Sequence, residues 1–341
     1  MDRRVFLKTG LLGAGTVAVT AALPSFETNA AEKVNSPLKA SDLIKEPPRR
    51  IPVVDKADVV VVGGGPAGFA AARHGADTIL LERQYFLGGL FTGCGVTPVI
   101  NMFAPQPNGG REQAIFGICQ ELCDRLGNAG MLNAEGIRPK SECSAGVETP
   151  VNGVKTRHTV GEREQDGLDI YNLTGIQMKL RRQMWEDTER LRRSPGCGDL
   201  FQMDSPSVVV VRITRVLNSV SNVMAEDAAA GKVYDDVIGI AGGDSTLTVS
   251  GGRHLPAKRP LWQIPYSSLV PKTVRSLLVG GRCFGFERPL TFDAREIGVC
   301  FLTGQASGTA AALCADRRCS SRELDIKDLQ RQLKGDNVKL S

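Results

Sequence analysis

The residues best suited to chemistry form a glycine cluster, Gly63-Gly64-Gly65-Pro66-Ala67-Gly68, which fits the pattern G-x-G-x-x-G. Gly63 would make a tight turn, Gly65 would let a pyrophosphate approach the backbone, and Gly68 would let a helix pack closely on a strand. Glu82 follows Gly63 at about the 20-residue spacing of such sites. A carboxylate there accepts hydrogen bonds from ribose hydroxyls and repels a 2′-phosphate. The pattern predicts a dinucleotide site and disfavours NADP.

The segments around this cluster predict the order strand, turn, helix, strand. Ala57–Val62 is apolar apart from Asp58, which is typical of a buried parallel strand. Pro66–His74 is rich in alanine and predicts a helix, and Thr78–Leu81 predicts a second strand that ends at Glu82. The free N–H groups at the helix start would face the phosphates. NAD and FAD both use this unit, so the motif alone does not choose between them.

A second glycine turn follows Arg83 and reads Leu87-Gly88-Gly89-Leu90-Phe91-Thr92-Gly93. It resembles the two-glycine turn of FAD-dependent oxidoreductases of the glutathione-reductase-like type. The resemblance implies that Gly88, Gly89 and Thr92 run along the diphosphate and ribityl chain of FAD, with Arg83 beside them. A typical NAD dehydrogenase has no such segment at this place.

The C-terminal part carries further motifs. Residues 262–271, WQIPYSSLVP, precede residues 277–283, LLVGGRC, and residues 304–311, GQASGTAA, come later. This order is similar to that of the bacterial FAD-dependent oxidoreductase family, and the likeness covers residues 57–127 and 168–335. Two distant segments that converge on one cofactor are harder to obtain by chance than either alone. The resemblance therefore implies FAD as the cofactor.

The same resemblance assigns roles to individual C-terminal residues. A strand that ends at Gly281 and Arg282 would return to the flavin. A helix that begins near Gly304 and Gln305 would present backbone N–H groups to the isoalloxazine or the phosphates. Arg295 is the candidate catalytic residue, because a cation there would bind an anionic substrate or stabilise the negative charge of reduced flavin. An arginine held in a structural ion pair is the alternative.

We expect an α/β fold, namely a Rossmann-type FAD-binding fold with a parallel central sheet and a reduced central substrate region. The Gly-Asp strand that typical family members carry is not recognisable, and the polar stretch 130–168 stands about where that section belongs. The expected divisions are a signal peptide at 1–30, a linker at 31–54, the N-terminal part of the FAD-binding domain at 55–129, a shortened central or substrate region at 130–265, and the C-terminal part of the FAD-binding domain at 266–341.

Apolar periodicity predicts four further helices and two further strands. The helices are Ile115–Leu126, a long polar helix capped by Asn172 and running to about Arg193, Glu296–Cys314, and a final amphipathic helix capped by Asp325. The strands are Ser207–Ile213 and Ser276–Val279.

The first 30 residues predict a targeting segment. Arg3-Arg4-Val5-Phe6-Leu7-Lys8 resembles the twin-arginine consensus, although Asp2 stands where Ser or Thr is usual. The apolar run Leu11–Leu23 is too short to span a bilayer comfortably, and Thr28-Asn29-Ala30 is an acceptable cleavage site. An uncleaved amphipathic tail is the alternative. We expect a periplasmic or otherwise exported protein that meets a membrane only during export, with no later segment apolar enough to be a membrane helix.

Composition disfavours some function classes. The hydrophobic content of 42% and charged content of 23% are ordinary for a soluble globular protein. The net charge of +5 is mild, and no long basic run is interleaved with aromatic residues, so nucleic-acid binding is unsupported. The expected partner is a small-molecule substrate, and the redox partner is not specified by any motif.

Cysteines and histidines offer weaker candidates. None of the nine cysteines is part of a Cys-x-x-Cys pair. Cys94 follows the second glycine turn, where a redox thiol is conceivable, but it lacks the partner that disulfide reductases use. Cys119 and Cys123 share a helix face without a His or carboxylate at metal-ligand spacing, so no metal is expected. His74 is expected to end a helix, and the other two histidines lie in polar, irregular regions.

The leading interpretation is an FAD-dependent oxidoreductase that acts on a small organic substrate by two-electron flavin chemistry. Two alternatives stay open. One is an NAD-dependent dehydrogenase, which the absorbance of purified protein in the flavin bands would exclude. The other is a non-catalytic flavin- or nucleotide-binding remnant, which reduction of the flavin by candidate electron donors would exclude.

Overall fold

A computed structural model describes residues 50–73, 75–94, 99, 102–105, 110–129, 149–151, 154–156, 166–201, 206–242, 246–249, 253–256 and 261–341. Residues from Pro52 to Ser341 form one unit. The expected signal peptide, most of the linker, most of the polar stretch 130–168 and His74 lie outside the described residues.

Two short parallel strands begin the fold. β1 (Val59–Val62) pairs with β2 (Thr78–Leu81), and helix α1 (Pro66–Ala71) connects them. The predicted order of strand, turn, helix and strand is therefore confirmed. Among the described residues no third strand joins this pair. The wider parallel central sheet expected from the sequence is thus represented there by two strands.

β1 is covered on one face, and the prediction of a strand buried on both faces is wrong. The side chain of Val61 is 9% exposed, whereas Val60 and Val62 are 53% and 82% exposed. Helix α1 packs against the Val61 face, because Gly68 lies in contact range of that side chain. No described element covers the opposite face. An apolar run alone does not distinguish one-sided from two-sided burial.

The other elements follow in chain order. The helices are α2 (Leu90–Gly93), α3 (Ile118–Asn128), α4 (Ile170–Arg192), α5 (Ala225–Ala230), α6 (Thr291–Ala294), α7 (Ile297–Arg317) and α8 (Ile326–Gly335). The antiparallel strand pairs are β3 (Phe103–Pro105) with β4 (Arg111–Gln113), β5 (Thr149–Val151) with β6 (Val154–Thr156), β7 (Val237–Gly242) with β10 (Leu261–Pro265), and β8 (Thr246–Val249) with β9 (Arg253–Pro256).

Helix α7 is the centre of the core. All of its residues from Ile297 to Ala310 are buried, as the sequence predicts for this segment. It is long and apolar enough to cross a membrane by length and composition, which corrects the expectation that no later segment reaches that level. However, 78% of its apolar window is buried inside the protein, as in the core helix of a soluble fold.

The antiparallel pair of β7 and β10 packs on α7 and was not foreseen from the sequence. Every residue of β7 is buried, and Trp262 and Ile264 of β10 are 2% and 0% exposed. A Cβ on Gly239 would lie 2.5 Å from the Leu302 side chain. Glycine at this place therefore lets the strand lie directly against the helix.

Both strands predicted outside these sheets are wrong. In the segment Ser207–Ile213, the N–H of Ser207 donates to Gly93 O at 2.9 Å, so this chain runs along α2 instead of entering a sheet. In the segment Ser276–Val279, Ser276 has a φ of 52°. The N–H of Val279 makes a single bond to Leu269 O at 2.9 Å. Their apolar residues fit a strand, but their backbone groups bind elsewhere.

The helix caps confirm one prediction and correct another. Asp325 caps α8 and accepts from the Lys327 N–H at 2.9 Å, as predicted. The cap of α4 is Asp169, which accepts from the Tyr171 N–H at 2.8 Å. Asn172 therefore lies inside the first turn of that helix. Asp and Asn have nearly equal capping preference, so residue type does not separate the two positions.

Candidate functional site

The first glycine turn, Gly63–Gly68, is held by close contacts between backbone atoms. Gly63 has a φ of 103°, a conformation that side chains disfavour. Its N–H donates to Leu81 O at 2.7 Å. A Cβ on Gly68 would lie 1.7 Å from Gly63 O, so no larger residue fits there without moving the backbone. These contacts are the tight turn and the close helix–strand approach that the motif predicts.

The second glycine turn lies against the first. The N–H of Gly88 donates to Gly64 O at 2.7 Å. A Cβ on Gly89 would lie 3.1 Å from the Cα of Gly65, so the two glycines face each other without side chains. The Thr92 hydroxyl donates to Leu87 O at 2.5 Å and holds the turn. Together the turns form a cradle lined by backbone, with the unpaired amides of the α1 N-terminus at one end.

Glu82 is tied to both turns. Its Oε2 accepts from the Gly64 N–H at 2.6 Å, and its Oε1 accepts from the Gln84 N–H at 2.8 Å. These backbone hydrogen bonds lower the pKa of Glu82, so the carboxylate is ionised near neutral pH. Each oxygen keeps a second lone pair for a further donor, such as a ribose hydroxyl. Arg83 is exposed.

The C-terminal part reaches the first turn at Ala67. A Cβ on Gly304 would lie 2.2 Å from Ala67 O, and a Cβ on Gly281 would lie 2.9 Å from the Ala67 Cβ. The N–H of Gly281 donates to the Thr303 hydroxyl at 2.8 Å. The two distant segments therefore meet. Thr303 was not singled out from the sequence, although it directly precedes Gly304.

The expected helix start near Gly304 and Gln305 is wrong. Helix α7 begins at Ile297, so both residues lie about two turns inside it and their N–H groups belong to the helix interior. The Gln305 side chain is 2% exposed, and its Oε1 accepts from the Ile118 N–H at 2.9 Å. Gln305 therefore accepts a hydrogen bond from a backbone N–H at the start of α3. Gly304 allows α7 to pack closely on α1.

Arg282 carries an unsatisfied group beside the cradle. Its Nη1 atom is buried and has no hydrogen-bond partner although the residue as a whole is half-buried, and a buried donor is costly unless an acceptor satisfies it. Its charge acts on the thiol of Cys94, at the C-terminal end of α2. Arg282, in the turn Gly281–Cys283, therefore lies near Cys94, which follows the second glycine turn.

Arg295 lies next to Arg282. The Cys300 thiol donates to Arg295 O at 3.4 Å and also contacts the backbone N–H of Arg282. Both arginines therefore flank one thiol near the N-terminal end of α7.

The charge of Arg295 is partly neutralised. Its guanidinium is mostly buried, lies 3.2 Å from Glu296 Oε1 and stacks over Phe292 at 5.3 Å. Burial raises the pKa of Glu296, whereas Arg295 and Arg212 lower it. Two guanidiniums therefore face this carboxylate. The structural ion pair that the sequence left as the alternative for Arg295 is therefore present. Arg212 adds a second positive charge beside the same carboxylate.

The cysteines near the cradle are poor nucleophiles. Burial raises the pKa of Cys94 to about 11 and that of Cys300 to about 12. Because the thiolate is the reactive form, a redox role for Cys94 finds no support. Cys119 and Cys123 lie side by side in the core. Within the described part of the chain no three metal-ligating side chains come together.

A cavity of about 380 Å³ lies between the chain after Arg212 and the start of α6. Its lining includes Ile213, which follows Arg212, and Thr291, which begins α6. Asn218, Asn222 and Arg288 add polar groups to the wall. Neither Arg282, Arg295 nor any cradle residue is among its lining residues.

The residues present fit a flavin dinucleotide, since they provide a backbone cradle, an ionised ribose acceptor and a buried guanidinium nitrogen of Arg282 without a hydrogen-bond partner. A family profile described as FAD dependent oxidoreductase matches residues 58–149 and 133–333. Comparison with curated proteins and with solved structures gave no match. The matched segments span most of the chain and include both halves of the cradle. The chain therefore belongs to the FAD-dependent oxidoreductase family and has FAD as its cofactor.

Proposed function

We propose that this chain oxidises or reduces a small organic substrate by two-electron flavin chemistry. The observation that supports this most directly is the buried, unpartnered Nη1 atom of Arg282 beside the two facing glycine turns. A buried polar nitrogen without a hydrogen-bond partner is destabilising by itself. A bound anionic or carbonyl-bearing cofactor would satisfy it.

Different residues of the cradle would bind different parts of FAD. The amides after Gly65, at Ala67 and Gly68, would bind the pyrophosphate, and Glu82 would accept from the adenosine ribose. Gly88 and Gly89 would leave room for the diphosphate. When bound, FAD supplies the two-electron acceptor and donor. The protein's share is binding, orientation and charge.

The remaining cradle residues have smaller roles. Thr92 fixes the second turn, and the Gly281 bond to Thr303 fixes the turn that carries Arg282, which would face the flavin. Pro66 begins α1 at a position where its missing N–H costs nothing. Arg83 would contribute charge at the entrance.

The substrate would occupy the cavity between the chain after Arg212 and α6. Arg295 would supply positive charge to an anionic group of the substrate or to reduced flavin. Its ion pair with Glu296 keeps the guanidinium in place. Arg288 on the cavity wall would supply a second cation.

Reduction of the bound flavin tests this proposal. Purified protein with FAD would be mixed without oxygen with a panel of small organic donors, and bleaching of the flavin bands would be followed. At least one donor should reduce the flavin, more slowly in Arg295→Gln than in a surface control, Arg190→Gln. Bleaching by dithionite but by no organic donor would contradict catalysis and favour a non-catalytic flavin-binding remnant.

We further propose three features on the basis of the sequence. The chain is exported to the periplasm through its twin-arginine-like leader. Its central region is shortened relative to typical family members. Its flavin domain is of the glutathione-reductase-like type, with a parallel sheet wider than the pair of β1 and β2. A tightly bound flavin agrees with this export route, which carries proteins folded with their cofactors.

A further inference from the structure

The C-terminal end of α7 carries two cysteines at positions that its capping motif brings together. Arg318 has a left-handed conformation, with φ 54° and ψ 40°. Its N–H donates to Ala315 O at 3.3 Å, and the N–H of Cys319 donates to Cys314 O at 3.1 Å. These two bonds define a Schellman motif, in which the side chains at the Cys314 and Cys319 positions usually make an apolar contact.

Here both contact positions are thiols, and they interact directly. We propose that Cys314 and Cys319 are a disulfide site that staples the end of α7 under oxidising conditions. The structure shows both as free thiols. The proposal is independent of the flavin chemistry, because the site lies at the far end of α7 from Arg295.

Accessibility separates this pair from the other neighbouring cysteines. Cys314 and Cys319 are both half-buried, so an oxidant can reach them. Cys119 and Cys123 are 1% and 4% exposed in the core, which withholds them from reagents. The buried pair is therefore an internal control.

The surroundings explain what a staple would hold. Arg318 occupies a conformation that glycine usually takes at this place, so neighbouring contacts must maintain the turn. The Tyr266 hydroxyl, just after β10, donates to Ser321 O at 2.8 Å. A disulfide would thus fix the end of α7 to the first residues of the chain that joins it to α8, beside the Tyr266 contact.

The chemistry is thiol–disulfide exchange with a small disulfide such as oxidised glutathione. One thiolate, expected from Cys319 because burial raises the pKa of Cys314 to about 12, attacks a sulfur of the reagent and releases one glutathione thiolate. The Cys314 thiolate then displaces the second glutathione. The two cysteines lose two electrons and two protons, and the reagent becomes two glutathione thiols.

Peptide mapping tests the site. The full chain with FAD would be treated with oxidised glutathione, and remaining thiols would be alkylated in denaturant before trypsin digestion without reductant. Trypsin cuts after Arg317 and Arg318, so the disulfide should join peptides 296–317 and 319–322. Cys300 in the first peptide, and Cys119 and Cys123, should carry the alkyl group.

Stability gives the second readout. Reduction of the oxidised protein should lower its Tm by about 5 °C, and Cys319→Ser should show neither this shift nor the joined peptides while keeping its FAD. Alkylated Cys314 and Cys319 after oxidation, or Cys319 joined to another cysteine, would overturn the proposal.

Discussion

The contact between α1 and α7 at Gly304 allows a sharp test of the packing that positions the cradle. A Cβ on Gly304 would lie 2.2 Å from Ala67 O and 2.5 Å from Ala67 Cα, whereas ordinary contact begins at 3.4 Å. Gly304→Ala must therefore separate the helices by more than an ångström. Overpacking of this kind costs about 1–3 kcal/mol. Because the N–H of Ala67 is proposed to bind the pyrophosphate, bound FAD should decrease as well.

Two glycine variants serve as matched controls. A Cβ on Gly308 would lie 2.3 Å from Ala71 O, at the end of α1 away from the cradle. Gly308→Ala should therefore destabilise the fold with less loss of FAD than Gly304→Ala. Gly175 in α4 has no atom within 4 Å of its Cβ position. Gly175→Ala should stabilise by about 1 kcal/mol, because alanine is the better helix former.

Thermal unfolding followed by circular dichroism, together with the flavin content of the purified variants, would measure these effects. A change of 1 kcal/mol moves Tm by about 2–4 °C in a protein somewhat smaller than this one. We expect Tm to fall for Gly304→Ala and Gly308→Ala and to rise for Gly175→Ala. An unchanged Tm and full FAD content in Gly304→Ala would refute the close contact of α1 and α7.

Four further predictions concern the cofactor and the leader. Gly65→Val should lose FAD with little change in Tm, because the nearest atom to its Cβ position is 4.0 Å away and the added methyls would enter the path of the pyrophosphate; full flavin content would contradict this. Glu82→Ala should bind FAD at least about tenfold more weakly in calorimetry of the apoprotein, whereas the surface control Glu189→Gln should bind it like the parent, and equal affinities would remove the ribose role. Because backbone hydrogen bonds lower the pKa of Glu82 in the folded protein, the stability they add is present above the unfolded-state pKa. It is lost as pH falls through the folded pKa. FAD affinity should therefore stay level from neutral pH to about 5, and a decline near pH 6 that disappears in Glu82→Ala would contradict the lowered pKa of Glu82. Changing Arg3 and Arg4 to lysine should leave precursor in the cytoplasm in a fractionation assay, and normal export would mean that the leader is no twin-arginine signal.

Local sequence patterns predicted the first part of the cradle well. The turn after β1, the α1 start and the Thr78–Leu81 strand depend on residues close together in the chain, and glycine has few structural substitutes in them. The buried helix α7 was also predictable, because its long apolar run admits few alternatives.

Long-range contacts explain what sequence reasoning missed. The burial of β7 depends on α7, which lies far along the chain, and Gln305 bonds the N–H of Ile118 across 187 positions. Contacts between residues so far apart in the chain produce no pattern among neighbouring residues in the sequence. The start of α7 at Ile297 was placed correctly by apolar periodicity, but the glycine motif at Gly304 suggested a later start. Packing on Ala67 accounts for that glycine.

The most direct test of the central claim is the identity of the cofactor released from the purified full-length chain. The protein would be denatured after its absorption spectrum is recorded, and the supernatant would be analysed by mass spectrometry. We expect flavin absorption bands and the mass of FAD. A colourless protein that releases NAD, or a flavin protein that releases only FMN, would contradict it.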